Sequence, residues 1–168
     1  MSATMSTDEI ADILTSPYAR QLLESKIPAR IAYTGLDGFP RVVPVGYDWD
    51  GTHIRFASIM GSAKNAALQS NPQVAITIDT ESYPPKVLLI RGTAQVEIVD
   101  GVPDVYVRAS TRRLPEEERQ PWEEGVRALF DRMAVVTITP TWVRLLDFES
   151  TFPRAFEDVV AARGGSTA

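Results

Sequence analysis

The sequence predicts a mainly β fold, an antiparallel barrel with peripheral helices. Three observations carry this expectation. Apolar and polar residues alternate at period two in Thr52–Ser58 and neighbouring runs. Asp37-Gly38 and Asp50-Gly51 are dipeptides that close tight turns between strands. Gly92 interrupts the long apolar run Val87–Val99, the device by which a sheet bends or bulges to curl on itself.

The elements follow in order. Thr7-Asp8-Glu9 places a cap and two acids ahead of Ile10, Ile13 and Leu14, which recur at helical spacing. Ser16-Pro17 restarts a helix that ends before Pro28. Arg30–Thr34 then reads as a strand, and the chain returns after Asp37-Gly38 as a second strand over Phe39–Tyr47. Pro40 and Pro44 make that strand an edge or a bulged one. Asp48–Gly51 turns into Thr52–Ser58. A helix over Ala63–Ser70 is stopped by Asn71-Pro72. Val74–Asp79 and Val87–Val99 are strands. Pro103 opens a helix through Arg113, and Pro115 precedes a second helical stretch whose core, Trp122–Met133, puts Val126, Leu129 and Phe130 on one face. Ala134–Thr139 and Thr141–Phe148 read as two strands separated by Pro140, and Ala161–Ala168 as a disordered tail. The expected organisation is N-terminal helices over 1–28, a barrel over 29–149 with a helical insertion at about 102–133, and a C-terminal tail over 150–168.

Composition narrows the function. With 168 residues the chain suits one domain, and its 44% hydrophobic content is ordinary for a globular protein. A net charge of -5 argues against a nucleic-acid partner, whose phosphates demand lysine and arginine. The absence of cysteine removes thiolate nucleophiles, iron–sulfur clusters and disulfides, and a single histidine, His53, makes a multi-histidine metal site untenable. His53 follows a turn and is expected to face solvent. No apolar run approaches a membrane span and the first residues lack a signal-peptide pattern, so cytoplasmic residence is the expectation.

The most informative stretch is Ser58-Ile-Met-Gly-Ser-Ala-Lys64, between a strand and a helix. It gathers two hydroxyls and an ammonium where free helix N–H groups and the positive end of the helix dipole already favour an anion. A phosphate there would gain charge-assisted bonds from Lys64 and hydroxyl donors from Ser58 and Ser62. The competing reading is that Ser62 is an N-cap and Lys64 a solvated surface charge.

The order and spacing of these features resemble the pyridoxamine 5'-phosphate oxidase-like superfamily, the flavin-binding split β-barrels of FMN-binding type. The resemblance spans about Ala29–Phe148. It rests on the Asp-Gly hairpin with Pro40, Arg41 and Pro44 in the next strand, the hydroxyl–x3–Ser–x–Lys helix start, and Asn71-Pro72. Gly92 and Pro140-Thr141-Trp142 are similar to later features of the family. The resemblance implies that Arg41, Ser58, Ser62 and Lys64 surround a cofactor phosphate. It also implies that the flavin ring lies along Val42, Val43, Pro44 and onward to Gly46, and that Met60 and Gly61 border the phosphate loop. The cofactor it implies is FMN or coenzyme F420, and the activity a hydride transfer to a small conjugated organic substrate. The assembly it implies is a homodimer with cofactor at the interface. Mixed-parity apolar residues in Val87–Val99 and Ala134–Phe148 support that dimer independently. Ala63 stands where the vitamin B6 oxidase proper has a basic residue, and the Arg-Leu-His-Asp-Arg ending of that enzyme is absent, which disfavours vitamin B6 oxidation. No side chain is nominated as a catalytic acid; Tyr33, Tyr47 and Tyr83 are the candidate proton donors. The alternatives are a non-catalytic flavin or haem binder on the same barrel, and a barrel that has lost its cofactor and serves as an interaction module.

Overall fold

The computed structural model describes residues 5–163. Two helices, α1 (Thr7–Leu14) and α2 (Pro17–Leu23), precede the sheet. Ser6, rather than Thr7, caps α1, in a reciprocal box with Glu9. The strands are β1 (Ala29–Thr34), β2 (Pro40–Val45), β3 (Asp48–Trp49), β4 (Ile54–Ile59), β5 (Gln73–Asp79), β6 (Val87–Asp100) and β7 (Arg132–Leu146). Helix α3 (Ala63–Ser70) follows β4, and α4 (Asp104–Thr111) and α5 (Glu116–Leu129) lie between β6 and β7. Helix α6 (Arg154–Ala162) follows β7.

All strand pairs are antiparallel, in the order β2-β1-β5-β6-β7-β4-β3. The sheet curls without closing, which makes it a split barrel with β2 and β3 as its edges. Edge placement of β2 is what its two prolines require, since neither can donate to a second neighbour. The barrel interior collects Ile31, Ile54, Phe56, Ile76, Ile78, Leu88, Ile90, Val136 and Ile138, and α1, α2 and α3 add Leu14, Leu22, Leu23 and Leu68.

Gly92 sits where β6 and β7 change register. Arg91 pairs with Trp142 and Gly92 with Pro140, so Thr141 is the extra residue of a bulge. A Cβ on Gly92 would stand 2.6 Å from the Thr139 carbonyl oxygen, leaving no room for a side chain. The bulge corrects the expectation of two strands separated at Pro140: β7 is continuous, and the proline falls where the ladder is already interrupted. It also reverses the inward parity of β7. Val136 and Ile138 face inward on one side of the bulge, and Val143 and Leu145 pair with Ile90 and Leu88 on the other.

Three other expectations are corrected. Asp48 and Trp49 form a short edge strand paired with Arg55 and Ile54, so the tight turn begins at Asp50. Helix α5 starts at Glu116, runs through Pro121 and stops at Leu129, which is 70% exposed; Met133 belongs to β7 and is fully buried with Val102 and Val107. Because α5 lies on the surface and buries none of its residues, the hydrogen bond lost at Pro121 falls on a solvated helix. The expected disordered tail is helical as far as Ala162, with α6 held by Arg144 bonding to the Phe152 carbonyl and by stacking of Phe152 on Phe156. The remainder of that tail, 164–168, lies outside the described residues. Among the described residues no helix is long and apolar enough to cross a membrane.

Candidate functional site

A cleft of about 500 Å³ opens between the β4–α3 junction and helix α4. One end is lined by Ser58, Ile59, Met60, Gly61, Ser62 and Lys64, the other by Val45, Gly46, Tyr106, Ala109 and Ser110. A second cleft, of about 480 Å³, lies over the outer sheet face around Ala32, Ala75, Gly92 and Thr141. It is shaped by the bulge and offers no cluster of donors at a helix end. The first cleft is therefore the candidate site.

Its donor end follows from how α3 begins. Ser62 has extended N-cap geometry, yet its hydroxyl makes no cap bond. Instead it accepts from Lys64 Nζ at 2.9 Å, which leaves its own proton free to donate outward. The backbone N–H groups of Ala63 and Lys64 have no acceptor among the described residues, as expected in an uncapped first turn. Lys64 is half-buried and has no carboxylate partner among the described residues. Burial pushes its ammonium below its ordinary value, the mark of a cation held partly away from water without a counter-ion. Lysine ammonium, serine hydroxyl and two backbone amides thus converge at one helix end. That donor set suits a phosphate or carboxylate.

Ser58 departs from its expected role. It shares strand parity with the buried Ile54 and Phe56, so its side chain turns toward the barrel interior and is itself buried. There its hydroxyl donates a short hydrogen bond to Asn65 Oδ1, and Asn65 Nδ2 donates to the Ile59 carbonyl at 3.1 Å. Asn65 and Leu68 stand one helical turn apart on the inward face of α3. Through Asn65 the helix is latched to the end of β4. Ser58 shapes the loop, and its proton is committed.

The cleft gathers Ser58, Met60, Ser62 and Lys64, but not Arg41, Val42, Val43 or Pro44. Arg41 folds back over the hairpin onto Asp37 at 2.6 Å. Val42 is 65% exposed, Pro44 is exposed, and Val43 packs against the core. Only the last part of the predicted ring-facing segment, Val45 and Gly46, reaches the cleft. Gly46 packs close to α4, and a Cβ there would stand a tight 3.2 Å from the Ala109 carbonyl oxygen.

Sequence reasoning missed the α4 wall. Tyr106 presents its ring to the cleft and stacks on Trp122 of α5, with centroids 5.7 Å apart. Arg108 holds α4 to the sheet through Asp48 at 2.9 Å, and Arg55 reaches the same carboxylate at 3.3 Å. Arg112 and Arg113 donate to carbonyls of Ser25 and Lys26 after α2. The only sequence signal for this wall is the run of small residues Ala109-Ser110, which allows close approach to Gly46. Of the candidate proton donors, Tyr47 is buried, donates to the Leu22 and Leu23 carbonyls, and is pushed up to about 12 by burial. Tyr33 is buried in the core and Tyr83 is 96% exposed; neither lines this cleft. His53 lies against Asp50 at 3.5 Å on the β3–β4 turn, also away from it.

The fold and this site define a split-barrel protein with a cluster of hydrogen-bond donors at the start of α3. The family described as Pyridoxamine 5'-phosphate oxidase matches residues 15–147, and the chain belongs to that family. Solved structures agree on the fold. An F420 reductase is 26% identical, with a TM-score of 0.59, over 74% of this chain and 94% of that one. A conserved hypothetical protein from Mycobacterium tuberculosis is 22% identical, with a TM-score of 0.59, over 85% of each chain. A putative pyridoxamine 5'-phosphate oxidase from Listeria innocua is 20% identical, with a TM-score of 0.54, over 82% of this chain and 98% of that one. No curated protein sequence matches the chain.

Proposed function

We propose that this protein is an oxidoreductase that binds FMN or coenzyme F420 in the cleft between the β4–α3 junction and α4. The observation that carries the reading is the union, in one cleft, of an unneutralised donor cradle with apolar and aromatic walls. Membership of the family and likeness to an F420 reductase support it. When bound, the cofactor supplies the hydride chemistry. The chain supplies the rest. Lys64, Ser62 and the amides of Ala63 and Lys64 hold the phosphate, Val45 and Gly46 leave space against the sheet edge, and Tyr106 forms the facing wall. Ile59 and Met60, about half exposed, keep water from that mouth of the cleft once a substrate is seated.

The homodimer is part of this proposal. The exposed apolar residues Leu36, Phe39 and Val42 lie on the edge strand β2 and its hairpin, and a second copy packed there would bury that edge.

One observation favours the alternative of a non-catalytic binder: among the described residues, no carboxylate or imidazole lines the cleft. The two readings separate on turnover. The purified protein should bind FMN or F420 and, with that cofactor reduced, reduce quinone, nitro or enone acceptors at a rate that depends on protein concentration. Binding without reduction of any acceptor would favour the binder, and oxidation of pyridoxine phosphate at an enzymatic rate would overturn the proposed substrate class.

A further inference from the structure

The charges around the α3 cradle carry a further step, which rests on the reading of the cleft as a cofactor site. Among the described residues of one chain, Lys64 is the one cation lining the cleft, and no acidic residue lines it. The arginines on bordering elements are committed elsewhere. Arg41 is on Asp37, Arg108 on Asp48, and Arg127 on Asp104 and Glu123 at 2.9 and 2.8 Å. Arg112 and Arg113 are on backbone carbonyls. The remaining donors are neutral: the Ser62 hydroxyl and the N–H groups of Ala63 and Lys64. Ser58, its proton given to Asn65, has only lone pairs to offer an approaching oxygen.

A phosphate monoester loses its second proton near pH 6 and is largely a dianion above pH 7, whereas a diester keeps one negative charge throughout. One ammonium neutralises a monoanion. A dianion in the same half-buried place would leave one charge without a counter-ion, and a partly desolvated charge without a partner is costly.

We propose that the cradle selects a singly charged phosphodiester over a phosphomonoester dianion, so that the preferred ligand continues past its phosphate instead of ending on it.

The test uses the full-length protein and two ligand series, one on the riboflavin ring and one on the 5-deazariboflavin ring. Each series contains the uncharged alcohol, its 5'-phosphate and the monomethyl ester of that phosphate. Affinities are read by fluorescence titration at pH 8 and pH 5.5. At pH 8 the methyl ester should bind about fivefold more tightly than the phosphate, the size expected for one partly screened charge left unpaired. That gap should close at pH 5.5 as the monoester takes up its proton, while the ester reports any titration of the protein itself. A phosphate that binds more tightly than its ester at pH 8, or a ratio that does not move with pH, would overturn the proposal. If the alcohol binds as well as both phosphates, or if neither series binds, the cradle is not an anion site and the underlying cofactor reading falls as well.

Discussion

Replacing Lys64 by alanine isolates the central claim about the site. Its ammonium touches Ser62 and has no carboxylate partner among the described residues, so its removal breaks no ion pair. A hydrogen bond to a charged group contributes about 1.5–3 kcal/mol, and half-burial places Lys64 toward the lower end, about 1.5–2 kcal/mol after solvent screening. That corresponds to a loss of about 10- to 30-fold in cofactor affinity, read by fluorescence titration with FMN and F420. Stability should move the other way. Burial lowers the folded-state pKa of Lys64 below its ordinary 10.5, so folding is penalised for carrying the charge. The penalty is complete below the folded value and fades as pH rises toward the unfolded one. Lys64→Met should therefore raise the melting temperature at pH 7, with the gain fading as pH rises toward 10.5. Unchanged affinity in Lys64→Ala would refute the cradle. A lowered melting temperature in Lys64→Met would refute the desolvation argument.

Two further predictions concern what holds the site and the fold. Asn65→Ala leaves the buried Ser58 hydroxyl without its acceptor and takes from the Ile59 carbonyl one of its two donors, the Ser62 N–H remaining, and should cost about 1–3 kcal/mol of stability in denaturant unfolding while also weakening cofactor binding, because the loop before α3 loses its latch. Burial alone would raise the Asp147 carboxyl, but the Ser150 hydroxyl and the N–H groups of Glu149, Thr151 and Ser150 outweigh it and bring it to about 2. The stability this confers is present above the ordinary 3.8 and is lost as pH falls toward 2, on the order of 2 kcal/mol, so acid unfolding of Asp147→Asn should be flatter than wild type between pH 5 and 2.

The parts of the molecule legible in the sequence are those set by local chemistry. Pro40 and Pro44 mark β2 as an edge, Asp37-Gly38 closes the first hairpin, and Ser62 and Lys64 start α3. Ser58 was legible too, by a different signal. Its parity with Ile54 and Phe56 turns it inward, and the strand period outweighs the hydroxyl spacing that suggested a phosphate contact. Arg41 lies four residues after Asp37 across a tight turn, and that nearby carboxylate holds it away from the cleft. The continuity of β7 through Pro140 depends on a bulge opposite Gly92, nearly fifty residues earlier, which no local pattern in β7 reveals. The α4 wall was hidden for the same reason: Tyr106, Ala109 and Ser110 meet the β4–α3 loop only after the sheet has brought β4 beside β7.

The two ends of the cleft are thus held by different physics. The donor end is local: a few residues join β4 to α3, and a buried asparagine fixes both ends of the connection. The facing wall is long-range. Helix α4 is fastened by Arg108 to Asp48, by Arg112 and Arg113 to carbonyls beyond α2, and by Tyr106 to α5. The Arg108 and Arg113 contacts are solvent-exposed, so each contributes little alone, and the Arg108–Asp48 ion pair weakens with salt, whereas the Ser58–Asn65 bond is buried. Helix α4 also buries Val105, Val107 and Ala109, so apolar packing holds it as well. On the proposed reading the α3 end would hold the phosphate and the α4 wall would lie beside the ring. Within a family built on one barrel, such a division would let the substrate change by altering the α4–α5 insertion while the proposed anchor at α3 is retained.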